Sequence, residues 1–175
     1  MSSERLPVHI EPLRMVEARR VLHGQIPLGE MERLQQSVTG ATGEVMAELE
    51  FGVDVEGIRF MRGRLQAMVT LQCQRCLDAM DYPIDSRFAL ALVRDTRQAE
   101  ALPSHYEPLV VDGEPMFLRD VLEDELLLAL PIVAKHDEGR CKLMPNGAEP
   151  VGQEVPGKAA GNPFSVLAGL KTDRN

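Results

Sequence analysis

The sequence predicts an α+β protein in which an antiparallel β-sheet meander is packed by one long helix. From Glu44 onward, three successive segments alternate apolar and polar residues with the period of two that is typical of half-buried strands. Segment 117–130 changes to the helical period, with apolar residues three and four positions apart. Because short connections join the three strand-like segments, we expect them to pair as neighbours in one sheet with one solvated face.

Two short N-terminal helices are expected before the sheet. Segment 12–20 opens on Pro12, and proline suits the first turn of a helix because its missing N–H would have no partner there. Segment 28–38 has apolar residues near one helical face, namely Leu28, Met31, Leu34 and Val38. Both segments therefore predict short helices with their apolar residues on one side.

The strands are expected at 44–54, 61–73 and 80–92, where the apolar residues alternate with charged and small ones. Ile58 and Phe60 are in the opposite phase to the apolar residues that follow Met61, so the alternation predicts a bulge or a break near Met61. Segment 95–105 is polar and has no period, which indicates a loop. Segment 107–112 is expected to form a short edge strand, with Pro108 near its start.

The helix over 117–130 has two distinct stripes. The apolar stripe predicts core residues, above all Leu122 and Leu126. The opposite stripe is charged, and it includes Asp120, Glu123, Asp124 and Glu125. Paired carboxylates for acid–base catalysis need burial or mutual proximity, so we expect these residues to form a solvated surface or to face a protein partner.

The domain organisation follows from composition. Residues 1–141 are expected to form a single α+β domain. Residues 142–161 are rich in proline and glycine, which is typical of a flexible linker. Residues 162–171 predict a short amphipathic C-terminal helix, capped by Asn162 and carrying the apolar residues Phe164, Leu167 and Leu170. This flexible C-terminal arm would dock in a partner's groove or fold back on its own domain.

Composition excludes several functional classes. The 175 residues carry 19 Lys and Arg against 27 Asp and Glu, a formal net charge of −8, which disfavours binding to nucleic acid by bulk charge. No secretory h-region begins the chain, and the apolar run 126–133 falls short of the roughly 20 residues of a membrane-spanning helix. A reducing cytoplasm is the expected location. No phosphate loop or hydrolase motif is present, so we expect no small-molecule substrate.

All three cysteines belong to one candidate metal site. Cys73 and Cys76 form a Cys-x2-Cys step, and His136 and Cys141 follow at a spacing of His-x4-Cys. These ligand types and local spacings are typical of structural zinc (Zn²⁺), although the two halves are separated by 59 residues. The alternatives are reduced, partly buried cysteines, or a thiol redox pair formed by Cys73 and Cys76.

Four arginines are candidates for RNA binding. Arg59, Arg62 and Arg64, with Arg75 beyond them, are expected to line one polar face of the sheet. Such a face would suit phosphate contacts. The alternative is an ordinary solvated surface on which the arginines pair with the glutamates at positions 44, 48 and 50 of the adjacent strand.

Several motifs together resemble a known family. They are Leu71-Gln72-Cys73-Gln74-Arg75-Cys76; Glu100-Ala101-Leu102-Pro103 with Tyr106-Glu107-Pro108; Glu123-Asp124-Glu125-Leu126-Leu127-Leu128-Ala129-Leu130-Pro131 followed by His136-Asp137 and Cys141; and Asn162-Pro163-Phe164-Ser165-Val166-Leu167-Ala168. In order and spacing these resemble the bacterial YceD family, the large ribosomal RNA subunit accumulation proteins. Ser165 stands where the family pattern has alanine.

The resemblance implies a non-enzymatic ribosome-biogenesis factor, needed for synthesis, processing or stability of the 23S rRNA of the large ribosomal subunit. It implies no catalytic residues. The expected partners are the pre-50S ribosomal particle and 23S rRNA, contacted directly or through ribosomal proteins. Two other functions stay open: a thiol redox protein, and a zinc-stabilised acidic adaptor for a basic ribosomal protein.

Overall fold

The fold is that of a computed structural model, which describes residues 5–137 and 139–141. The expected linker, 142–161, and the expected C-terminal helix, 162–171, lie outside the described residues. In chain order the elements are β1 His9–Ile10, α1 Pro12–Glu17, β2 Val21–Pro27, α2 Glu32–Ser37, β3 Glu44–Val53, β4 Arg59–Gln72, β5 Ala79–Val93, α3 Thr96–Glu100, β6 Glu107–Val110, β7 Met116–Phe117 and α4 Leu118–Leu128.

A five-stranded sheet dominates the structure, with strand order β2-β3-β4-β5-β6. Strands β3 to β5 form the antiparallel meander that the alternating pattern predicts, and β2 extends it by one more antiparallel strand, whereas β6 pairs with β5 in parallel. The longest pairing joins β4 and β5, from Phe60 opposite Ala91 to Gln72 opposite Ala79. The α+β class is therefore confirmed, and the short edge strand predicted over 107–112 is present as β6, although its parallel direction was not predicted.

The inner face of the sheet carries the main core. Residues of the same phase on β3, β4 and β5 are buried there beneath the helices, as in the runs Val45, Ala47, Leu49, Phe51 and Met61, Leu65, Val69, Leu71. Helix α4 contributes Leu118, Leu122 and Leu126, each fully buried. Leu122 and Leu126 are thus core residues, as the helical period predicted. No helix among the described residues is long and apolar enough to cross a bilayer.

A smaller apolar cluster covers one end of the outer face. Phe60, Ala91, Val93 and Tyr106 are buried together, with side chains from α3 and the segment after it packed against them. Pairing between β3 and β4 runs without interruption through Met61, so the prediction of a bulge or a break near this residue is wrong. Both faces of the sheet are covered at this end. A regular strand can therefore bury Phe60 on one face and Met61 on the other.

The N-terminal segments differ from their predicted helices. Helix α1 ends at Glu17, and Arg19 takes a left-handed conformation (φ 47°) that turns the chain into β2, an unpredicted strand. Segment 28–38 divides into a 3-10 turn and α2, because the backbone of Met31 leaves the helical region. The predicted loop over 95–105 contains α3, which begins where the Asp95 side chain accepts a hydrogen bond from the Gln98 N–H.

Glu123 corrects the prediction of a solvated charged stripe on α4. Its side chain is 4% exposed. One carboxylate oxygen accepts from the Leu34 N–H of α2 at 3.0 Å, and the other accepts from Arg33 Nε at 3.1 Å. Arg33 also pairs with Asp124 and donates to the Asp120 carbonyl at 3.0 Å. The carboxylate therefore holds the first turn of α2, whose N–H groups have no helical partner, against α4.

Replacing Glu123 should destabilise the fold. We expect Glu123→Ala to lower the free energy of unfolding by about 1–3 kcal/mol, because it leaves the Leu34 N–H and Arg33 without their acceptor. The matched change Asp120→Ala removes a half-exposed carboxylate of the same helix and should cost less than about 0.5 kcal/mol. Urea denaturation monitored by circular dichroism measures both values. Equal losses for the two variants would contradict the bridging role of Glu123.

Glu125 predicts a dependence of stability on pH. Burial, then the charges of Glu107 and Asp124, raise the pKa of the Glu125 carboxyl from 4.5 to about 7. Because the pKa of Glu125 is higher in the folded state than in the unfolded state, its ionisation lowers the free energy of unfolding. This loss is absent below pH 4.5, grows between pH 4.5 and 7, and is complete above pH 7.

We therefore expect Glu125→Gln to be more stable than the parent chain at pH 8, by about 1–3 kcal/mol. The difference should shrink as pH falls towards 5.5. Urea denaturation of both proteins between pH 5.5 and 8.5 checks this, since effects of pH on other groups are common to the two proteins. A difference in stability that does not change with pH would contradict the prediction.

Candidate metal centre

The first half of the site lies at the tip of the β4–β5 hairpin. The Cys73 N–H donates to the Asp78 carbonyl at 2.9 Å, which continues the strand pairing by one step. The Leu77 N–H donates to the Cys73 carbonyl at 2.8 Å, and Leu77 takes a left-handed backbone conformation (φ 63°). This tight turn places Cys73 and Cys76 on the same side of the tip.

The second half comes from the segment that follows α4. The Gln74 N–H donates to the Ala134 carbonyl at 2.8 Å, which holds this segment against the hairpin tip next to His136. The Arg140 N–H then donates to the Asp137 carbonyl at 3.1 Å, closing a turn that contains Gly139 (φ 89°). The turn directs the chain back, so that Cys141 reaches the two cysteines of the tip.

The four side chains converge on one point. The sulfur atoms of Cys73, Cys76 and Cys141 and one ring nitrogen of His136 all lie within 4.8 Å of one another. The Cys76 Sγ is 3.4 Å from His136 Nδ1. Zn–S bonds of about 2.3 Å in a tetrahedron separate neighbouring sulfurs by about 3.8 Å. The spacing and the donor types therefore fit a four-coordinate metal ion.

The protonation state of Cys73 favours a metal. Burial disfavours the Cys73 thiolate, but the backbone N–H groups of Cys76, His136 and Arg75 and the Cys76 thiol stabilise it, and together they lower its pKa from 9.0 to about 5. Thiolate sulfur is the form that binds metal ions. Within the described residues none of the three cysteines forms a disulfide, and Cys73 and Cys141 are buried. The group of four is thus able to hold a metal ion.

The predicted arginine surface is not a single face, which corrects that prediction. Arg62 and Arg64 point to the outer face of β4, whereas Arg59, three residues before Arg62, has the phase of the inner face at the strand's first residue. Arg75 lies beyond Gln72, and the eight residue steps from Arg64 to Gln72 already span roughly 26 Å. Side chains three positions apart on a strand point to opposite faces of the sheet. The spacing of residues 59 and 62 alone would therefore have shown that these two arginines do not share a face.

Two of these arginines have acidic partners. Arg64 donates twice to Asp85 on β5, at 2.7 and 2.5 Å. Arg62 lies 3.6 Å from a Glu50 oxygen, and its guanidinium stacks 3.9 Å from the centre of the Phe60 ring. Among the described residues, Arg59 and Arg75 form no ion pair.

The outer face also contains two residues that the sequence analysis did not single out, His23 and Arg87. A shallow cavity of about 440 Å³ lies over the strand backbone at Gly63. Charged and titratable side chains of both signs surround it: His23, Glu48, Glu50, Arg62, Arg64 and Arg87. The register between β4 and β5 places Arg87 directly opposite Arg64, and the sequence alone does not show this pairing.

The predicted partner-binding residues divide into three groups. On α4, Asp124 is exposed and pairs with Arg33, and Asp120 is half-buried and pairs with Arg119. Glu123 is buried in the contact with α2. The apolar residues of the expected C-terminal helix lie outside the described residues, namely Phe164, Leu167 and Leu170.

Comparisons with known proteins agree with the resemblance. The family model for the large ribosomal RNA subunit accumulation protein YceD matches residues 61–171, a range that includes both halves of the metal centre. A curated relative, the large ribosomal RNA subunit accumulation protein YceD of Haemophilus influenzae, is 34% identical over 175 residues, covering 98% of this chain and 99% of the relative. No solved structure matches the chain. The chain therefore belongs to the YceD family of large ribosomal RNA subunit accumulation proteins.

Proposed function

We propose that the chain is a ribosome-biogenesis factor required for accumulation of the 23S rRNA of the large ribosomal subunit. The observation that carries this proposal is the similarity, over almost the whole of both chains, to a relative named for accumulation of the large ribosomal RNA subunit. Its partners would be the pre-50S particle and 23S rRNA, which it would contact in the cytoplasm. A non-enzymatic role agrees with a site whose convergent side chains are metal ligands.

We further propose that Cys73, Cys76, His136 and Cys141 hold a structural zinc ion. Three thiolates and an imidazole are the ligands that zinc prefers, and four protein ligands leave no open position for a substrate. When bound, the ion supplies a closed crosslink between the hairpin tip and the segment after α4. Ile132 and Val133 of that segment are exposed, so among the described residues it is held to the tip mainly at Ala134, whose carbonyl accepts from Gln74, and at His136, whose N–H donates to the Cys73 sulfur.

A thiol redox function is the second candidate, because the pKa of Cys73 is low although its thiol is buried. Backbone N–H groups that stabilise a thiolate serve a metal ligand and a redox nucleophile equally well. However, the Cys73 side chain is 0% exposed, and thiol–disulfide exchange needs access to the attacking sulfur. Accessibility therefore favours the metal, and metal analysis separates the two functions.

Direct contact with rRNA would depend on unpaired arginines. An arginine already neutralised by a carboxylate must lose that partner before it can bind phosphate, whereas Arg59 and Arg75 have no acidic partner to lose among the described residues. Of the four arginine candidates, we propose these two as the primary phosphate ligands. Arg75 lies beside the metal centre, at the hairpin tip, and Arg59 at the opposite end of β4.

Metal content tests the zinc proposal. The full chain, purified under reducing conditions, should contain about one zinc per chain by elemental analysis, because four convergent ligands bind zinc strongly. Cys141→Ser should lose the metal and lower the melting temperature, whereas His105→Ala, which removes a histidine outside the cluster, should change neither. Reduced protein with little zinc, whose Cys73 alkylates equally fast with and without a chelator, would contradict the metal and favour redox chemistry.

Complementation tests the function. Cells that lack the protein should show a lower ratio of 23S to 16S rRNA, and the parent chain should restore it. Arg59→Glu with Arg75→Glu should restore it less well than Arg62→Glu with Arg64→Glu, because only the first pair removes unpaired phosphate ligands. The two double variants change the net charge equally, so a difference reports position. Removal of each phosphate ligand should also flatten the salt dependence of binding to pre-50S particles by about one unit.

The control is the folded state of each variant, checked by circular dichroism before use. An unchanged 23S to 16S ratio in cells without the protein would contradict the proposed function itself. A normal ratio with both double variants would instead leave the function in place and show that arginine contacts with rRNA are not needed.

A further inference from the structure

One largely buried residue carries a carboxylate that has no partner among the described residues. Glu125 on α4 is 7% exposed, and its carboxylate oxygens keep slight contact with solvent but form no hydrogen bond or ion pair with a described residue. The charged neighbours that act on it most strongly are Glu107 and Asp124, which are also acidic. Burying an unpaired carboxylate costs free energy that a bound cation would recover. The arrangement therefore points to a positively charged ligand.

Glu125 faces a groove between α4 and the edge of the sheet. Two adjoining cavities, of about 450 and 290 Å³, share Glu107, Glu125 and Leu128 among their lining residues. Leu128 is 70% exposed and, with Pro108 and Leu109, gives the groove an apolar wall. Arg87 and His105 also line the smaller cavity. A ligand here would combine apolar contact with a cation directed at Glu125.

The floor of the smaller cavity is an open strand edge. Strand β6 pairs with β5 only from Leu90 to Val93, and no other described strand pairs with that edge of β5. The Val93 carbonyl accepts from the Val111 N–H on this side at 2.8 Å. Alternate residues of a strand direct their N–H and C=O groups to the same edge, so those of Asp85 and Arg87 face the groove.

Pro83 limits the length of this edge. Pro83 has the same phase as Asp85, so its backbone nitrogen faces the same edge but carries no N–H to donate. The missing donor interrupts pairing with a longer strand and protects the exposed edge from nonspecific association. Between Pro83 and the first residue of the β5–β6 pairing, room is left for about five residues of an added strand. The opening thus suits a short extended peptide.

We propose that this groove binds an extended, lysine- or arginine-bearing segment of a partner protein, which adds to the edge of β5 beside 85–89 and places a cation against Glu125. Backbone hydrogen bonds to the edge would supply affinity, and the pocket at Glu125 would supply selectivity for a basic side chain. The formal net charge of −8 would also attract a basic partner over a distance. This inference needs neither the metal centre nor contact with rRNA.

Two other occupants fit the groove less well. RNA would bring phosphates against Glu107, Asp124 and Glu125, with Arg87 as the nearby guanidinium of the smaller cavity. A second copy of the chain would bring another strongly acidic surface. Like charges placed together in this way oppose association.

The test measures binding of a fluorescent octapeptide of alternating lysine and valine to the full chain, by the fluorescence anisotropy of the peptide. We expect Glu125→Gln to weaken binding about tenfold or more, since it leaves the peptide cation without its buried partner. Glu44→Gln is the matched control: it changes the net charge equally at an exposed position on β3, and it should alter binding less than twofold. Glu107→Gln should give an intermediate loss.

A second measurement locates the peptide. Amide hydrogen exchange should show that the Asp85 and Arg87 amides exchange freely in the unbound chain and become protected when the octapeptide binds. An octapeptide of the same sequence, methylated on alternate backbone nitrogens, should lose this protection because it cannot donate to the strand edge.

Three outcomes would overturn the proposal. The first is an equal effect of Glu125→Gln and Glu44→Gln, which would mean attraction by net charge alone. The second is protection of the Asp85 and Arg87 amides in the unbound chain, which would mean that the edge is already occupied by this chain or a second copy. The third is protection of the same amides by an oligouridine, which would assign the groove to RNA.

Discussion

The structure depends on the uninterrupted pairing of β4 with β5. Because the register holds from Phe60 to Gln72, every second side chain is committed to the inner core and the others to the outer face. The same register brings Cys73 and Cys76 together at the hairpin tip and places Arg64 beside Asp85. A slip of one residue would exchange the two faces along the whole strand. The metal centre, the apolar core and the charged surface therefore share one geometric cause.

The candidate metal centre would link two parts of the chain that sheet pairing leaves apart. The hairpin tip extends beyond β3, which pairs with β4 only as far as Gln66, and a crossing segment at Thr39 and Gly40 supports the region beyond. The segment after α4 has few apolar anchors of its own. A zinc ion at the tip would hold both by four bonds, in a place where the apolar core is thin. The four residues are then best understood as structural support for the surfaces around them.

Electrostatics divides the acidic residues of α4 into different roles. Glu123 is satisfied by Arg33 and the Leu34 N–H, so its burial stabilises the contact between two helices. Glu125, two residues along, is buried with acidic neighbours, so its burial opposes stability at neutral pH. Strongly perturbed pKa values such as this one are concentrated at functional sites. Two glutamates that are equivalent in the sequence pattern are thus opposite in their energetic effect.

Local sequence patterns were enough to predict the α+β class, the three long strands, the core stripe of Leu122 and Leu126, and the identity of the four possible metal ligands. These features are local periodicities and ligand types, and each is read from residues a few positions apart. The other features arise from long-range packing. It brings His136 and Cys141 to a tip 59 residues away, keeps β4 regular at Met61 by covering both of its faces, and buries Glu123 and Glu125 beside α2 and β6. Each of these outcomes depends on which element packs against which, and contacts between residues distant in the chain leave no local pattern.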